Sequence, residues 1–81
     1  MNILDEELCK IVASALNVET ATISIETSSE DCLEWDSLGH MSILSALDEK
    51  FVGITLECPE LGGATSVKEI ADFCNTWKPA N

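Results

Sequence analysis

Arginine is absent from these 81 residues, and four lysines stand against fifteen Asp and Glu, for a formal net charge of −11. Such a surface repels nucleic-acid phosphates and anionic membranes and attracts basic protein patches, so nucleic-acid binding is excluded. Aromatic residues are scarce as well, only Trp35, Phe51, Phe73 and Trp77. Long β-branched runs are missing, which leaves Leu, Ile, Val and Ala to form a core between helices. With no CxxC pair and a single histidine, His40, no metal site is expected. Cys9, Cys32, Cys58 and Cys74 are widely spaced, and no signal peptide suggests an oxidising compartment. They read as reduced thiols of a cytoplasmic protein, with Cys9 and Cys74 on or beside apolar helical faces. No apolar stretch approaches the length of a membrane span, and no repeat or low-complexity segment is visible.

What is present suffices for one small domain spanning residues 1–81, read as a monomer, because 46% of the chain is hydrophobic. Leu4, Leu8, Ile11, Val12 and Ala15 predict a first helix over Asn2 to Leu16. Asn2 is its expected cap, and Asn17 stands where a left-handed C-terminal cap needs Gly or Asn. Val18 to Trp35 reads as an ordered loop pegged by Ile23, Ile25 and Leu33, with no partner strand evident. The second helix is expected from Ser37 to Val52, burying Ile43, Leu44, Leu47 and Phe51, with Gly53 ending it. A turn-rich stretch follows, in which Pro59 opens a short helical turn that Gly62 and Gly63 stop. Ser66 and Glu69 form a capping box for the last helix, which buries Val67, Ile70, Ala71, Cys74 and Trp77 and closes at Pro79. The expected fold is therefore all-α, a bundle of three main helices plus one short helix.

The most informative segment runs from Glu34 to Glu49, EWDSLGHMSILSALDE. Asp36 can cap the second helix, which puts Ser37 in a first turn whose N–H groups are unpaired and whose dipole favours an anion such as a phosphate ester. Ser37 as a hydrolytic nucleophile is disfavoured. His40, the only candidate base, lies three residues later on the same helix, and no GxSxG elbow exists. WDSL is similar to the GDSL hydrolases only in part, because the glycine and the distant Asp-x-x-His are missing. No catalytic residue is expected.

D-S-L followed by an amphipathic helix ending L-D-E-K-F resembles the acyl carrier proteins. Leu16-Asn17-Val18 is similar to the L-G-V that ends their first helix. F-V-G-I-T-L is similar to their F-G-I-x-I with Val52 inserted, and Thr65-Ser66-Val67 to Phe73 resembles their T-T-V…Y. The resemblance covers nearly the whole chain. It implies a 4'-phosphopantetheine arm on Ser37, installed by a separate phosphopantetheinyl transferase. Asp36 would cap the helix and offer an acid to that enzyme, with Leu38 and Met41 as apolar partner contacts. For these the plain alternatives are a cap alone and edge packing. Further partners would be acyl- or aminoacyl-loading and acyl-transferring enzymes with basic docking patches, and neither nucleic acid nor membrane.

Three departures narrow this expectation. Leu38 to Ser45 holds no acid, where fatty-acid carriers usually have several, so the WDSLGH form looks more like stand-alone carriers of specialised pathways. Ser28 and Ser29 stand near a usual core aromatic and Gly62–Gly63 suggest a shortened, mobile third helix, so the expected cargo is short or polar. His40 either lines the mouth of the acyl pocket or hydrogen-bonds loop backbone at the helix start. The remaining alternatives are an aminoacyl or peptidyl carrier, although the usual G-G-x-S is absent, and an acidic interaction module without a prosthetic group.

Overall fold

The structure is a computed structural model that describes residues 3–77. Helix α1 spans Ile3–Leu16, α2 Ser37–Lys50, α3 Ile54–Glu57 and α4 Val67–Thr76, with 3-10 turns at Thr20–Thr22 and Pro59–Gly63. The expected all-α bundle of three main helices forms, with the short helical turn at Pro59 and, in addition, the short helix α3. α1 packs against both α2 and α4. The proposed caps at Asn2 and Pro79 lie outside the described residues.

Local chemistry sets most helix ends. Asn17 takes a left-handed conformation at φ 60°. Its N–H donates to Ser14 O at 3.2 Å and that of Val18 to Ala13 O at 2.9 Å, the paired bonds of a Schellman stop. At α4, Ser66 Oγ accepts from Glu69 N at 3.1 Å. The reciprocal arm of this capping box reaches one residue further upstream than expected, because Glu69 Oε1 accepts from Thr65 N and Thr65 Oγ1 at 3.2 and 2.9 Å. Those bonds favour the charged carboxylate and hold Glu69 below its ordinary pKa.

The buried face of α1 differs from the predicted stripe. Leu8 and Val12 are fully buried as expected, but Cys9, Ala13 and Leu16 join them, while Ile11 and Ala15 are only half-buried. Facing two helices at once turns the stripe toward the small side chains of Cys9 and Ala13. In α2 the core residues are Ile43 and Leu47, with Leu44 and Phe51 half-buried beside them. α2 ends two residues before the predicted Val52, at Lys50, where Phe51 N donates to Leu47 O at 2.7 Å. Gly53, at φ 88°, caps the start of α3 instead of ending α2. Asp48 holds that short helix, accepting from Thr55 N at 3.1 Å and Thr55 Oγ1 at 2.5 Å. The predicted turn at Pro59 is the 3-10 helix, and Gly62 and Gly63 form its last residues. In α4, Val67, Ile70, Ala71 and Cys74 are buried as expected, whereas Trp77, just past its end, is only half-buried and sits edge-on to Phe51 with ring centroids 6.0 Å apart.

The loop over 18–35 is pinned by Ile23 and Ile25 as expected, but Leu33 is 95% exposed. A turn closed by Trp35 N to Cys32 O at 3.0 Å sends Trp35 inward and Leu33 outward. The loop also finds a partner the sequence did not reveal. Ser28 and Ser66 form an isolated antiparallel bridge, and Thr27 O accepts from Val67 N at 3.0 Å. This places the loop against the start of α4.

Candidate functional site

The site forms where the loop enters α2. Asp36, in extended conformation, caps the helix through Oδ1, which accepts from Gly39 N at 2.8 Å. Ser37 is the first helical residue and is exposed. Among the described residues its hydroxyl makes no hydrogen bond, and the backbone N–H groups of Ser37 and Leu38 meet no acceptor. An exposed hydroxyl thus stands at the positive end of a fourteen-residue helix.

Gly39 explains how the loop and helix close on each other. A methyl group there would overlap the Glu34 carbonyl oxygen and come within 2.8 Å of Leu16 Cδ2. By helix propensity alone a glycine here costs up to about 1 kcal/mol, whereas its tertiary role is to let the backbone of the Glu34–Trp35 turn rest on α2 and α1.

His40 is held at both ring nitrogens. Trp35 Nε1 donates to His40 Nδ1 at 3.0 Å, so Nδ1 is an acceptor and the proton of the neutral ring sits on Nε2. Nε2 donates in turn to Leu61 O at 2.9 Å. The two rings are inclined by only 12°. The ring therefore bonds the backbone of the 3-10 helix and also lines a groove of about 490 Å³ beside Ser37, bordered by Trp35, Met41, Leu44, Gly62–Gly63, Thr65 and Ser29. With both nitrogens engaged, His40 offers Ser37 no free base.

Leu38 and Met41 are 74% and 62% exposed. Leu33, which the sequence assigned to the core, is a surface residue as well. Asp36 borders the groove and Glu34 lies two residues before it, while the front of α2 carries no acid. Among the described residues no group of His, Cys, Asp and Glu could hold a metal ion. The cysteines are all free. Burial pushes the thiols of Cys9 and Cys32 above their ordinary values, helped by Asp5 and Glu6 in the first case and by Glu34 in the second. Burial and the neighbouring Cys58 raise Cys74 to about 11. These three side chains stay protonated and poorly nucleophilic near neutrality.

Fold and site together define a small helical domain that presents a hydroxyl outward at the start of α2, beside a histidine whose two nitrogens are engaged elsewhere. A family model for the phosphopantetheine attachment site matches residues 6–74, and the chain belongs to that family. Its prosthetic group is 4'-phosphopantetheine, covalently attached. No solved structure matches the chain.

Proposed function

We propose that Ser37 carries the 4'-phosphopantetheine arm and that the protein is a non-catalytic, cytoplasmic carrier of acyl or aminoacyl groups in a specialised biosynthetic pathway. The observation that carries this reading is the unpartnered, exposed Ser37 hydroxyl at the start of α2, beside the free N–H groups of Ser37 and Leu38. These residues fit the group: a phosphodiester on Ser37 Oγ would keep its negative charge at the helix terminus that stabilises it. When attached, the arm supplies a terminal thiol that holds acyl groups as thioesters. Asp36 keeps the first turn wound, so the attachment point is fixed relative to the helix axis.

The attachment step belongs to a separate phosphopantetheinyl transferase. Ser37 Oγ attacks the pyrophosphate of coenzyme A at the phosphorus nearer the pantetheine. The P–O bond to the adenosine 3',5'-bisphosphate breaks, and the hydroxyl proton passes to a base of that enzyme. His40 is already bonded at both nitrogens, which is consistent with the base being supplied from outside.

Leu33, Leu38 and Met41 would meet apolar positions of the transferase and of loading and transferring enzymes, with Glu34 and Asp36 facing their basic residues. Such contacts raise encounter rates without requiring slow release. The acid-free stretch from Leu38 to Ser45 separates this surface from one recognised by charge along the whole helix and supports a specialised pathway. The groove is open and not an enclosed tunnel, which supports a short cargo.

The deciding experiment incubates the protein with coenzyme A, magnesium and a broad-specificity phosphopantetheinyl transferase and measures intact mass. The expected result is a gain of one phosphopantetheine that Ser37→Ala abolishes. An unchanged mass with several transferases would refute carriage and leave an acidic interaction module.

A further inference from the structure

We infer that His40 is a specificity-determining residue that seals the floor of the groove beside Ser37 and so restricts this protein to short acyl groups held outside its core. The inference rests on attachment at Ser37.

The floor of the groove is formed by Trp35 and His40, whose ring planes are nearly parallel and which are joined by the indole N–H. Directly behind them stands Leu61, whose side chain is fully buried in the core and whose carbonyl accepts from His40 Nε2. One imidazole thus ties three separate parts of the chain together: the end of the loop, the first turn of α2 and the 3-10 helix. Trp35 cannot yield easily, since it is only 5% exposed and its turn is pressed onto α2 at Gly39.

A chain passing from the groove into the core between α2 and the 3-10 helix would have to part His40 from Leu61 O. The displaced donor and acceptor would then lie against apolar side chains, where unpaired polar groups are strongly disfavoured. Only a chain with many methylenes could offset that loss by its own burial. Behind the seal, Ile43, Leu47, Leu61 and Ile70 are fully buried, so entry would also force the core apart. A short chain gains too little from entry and stays in the groove, where Met41 and Leu44 supply apolar contact.

The test has two stages. In the unmodified protein, proton NMR of the Trp35 indole N–H should show slow exchange with solvent, lost in His40→Ala and retained in His40→Gln, whose amide again pairs an acceptor with a donor. Wild type, both variants and Trp35→Phe are then converted with acetyl- and octanoyl-coenzyme A by excess transferase, with complete loading checked by intact mass. Methyl NMR of Leu47, Leu61 and Ile70 reads entry into the core, and thioester hydrolysis reads protection of the cargo. In wild type and His40→Gln the core methyls should be the same for both cargoes. In His40→Ala and Trp35→Phe the octanoyl group should shift them and lengthen its thioester lifetime at least about threefold, with acetyl unaffected. Core shifts in octanoyl wild type equal to those in His40→Ala would overturn the inference, as would an octanoyl group that leaves the core unmoved in both His40→Ala and Trp35→Phe. No mass gain on wild type would instead remove attachment itself, while the indole measurement would still report whether the seal exists.

Discussion

Replacing Gly39 by alanine should destabilise this protein, although helix propensity alone predicts the opposite. In an unconstrained helix interior the change gains up to about 1 kcal/mol. Here the new methyl group would fall on the Glu34 carbonyl oxygen and 2.8 Å from Leu16 Cδ2. Leucine can rotate away, but the carbonyl belongs to a turn closed by Trp35 N to Cys32 O and anchored by the buried Trp35 ring. Overpacking of this kind costs ~1–3 kcal/mol, and contact with constrained backbone places it in the upper part of that range. Less the propensity gain, the net loss is about 1–2 kcal/mol. For a domain of this size that lowers Tm by roughly 4–16 °C. Urea and thermal unfolding followed by circular dichroism would measure it. Gly62→Ala is the control, because nothing lies within 4 Å of a methyl there. A Gly39→Ala protein more stable than wild type would show that the loop does not rest on α2 as described, and the placement of Trp35 and His40 would fall with it.

Asp36→Ala removes the acceptor for Gly39 N and should cost about 1 kcal/mol, read as a lower urea midpoint, with slower loading by the transferase; Asp36→Asn should recover most of the stability. Glu69 has a folded-state pKa below its ordinary value of 4.5, so the stabilisation from its cap is complete above that pH and is lost as pH falls through the folded value. Between about pH 3 and about pH 6 the urea midpoint of wild type should therefore drop on acidification more than that of Glu69→Gln. Cys74 behaves in the opposite sense. With a thiol raised from 9.0 to about 11, the native state holds its proton longer than the unfolded chain, so stability declines as pH rises from 9 toward 11. Cys74→Ala should flatten that decline, and native protein at neutral pH should leave Cys74 unalkylated until it unfolds.

The parts of the fold that the sequence determined by itself are those whose cause spans a few residues. Asn17 stops α1, Asp36 opens α2 and Ser66 with Glu69 opens α4, because each cap is a hydrogen bond to backbone one turn away. The position of Ser37 follows from the same local rule, which is why the candidate site was legible before the fold. Burial was legible only where a stripe faces one neighbour, as in α4. On α1, between two helices, Cys9 and Ala13 replaced Ile11 and Ala15 in the core. The exchange of Leu33 for Trp35 depended on a turn that hydropathy does not register. α3 went unseen because its anchor, Asp48, comes from the preceding helix. Tertiary structure alone decided what Gly39 and His40 do. The value of a missing side chain depends on what lies opposite it, and the two nitrogens of an imidazole acquire roles only when Trp35 and Leu61 are brought to them from different parts of the chain.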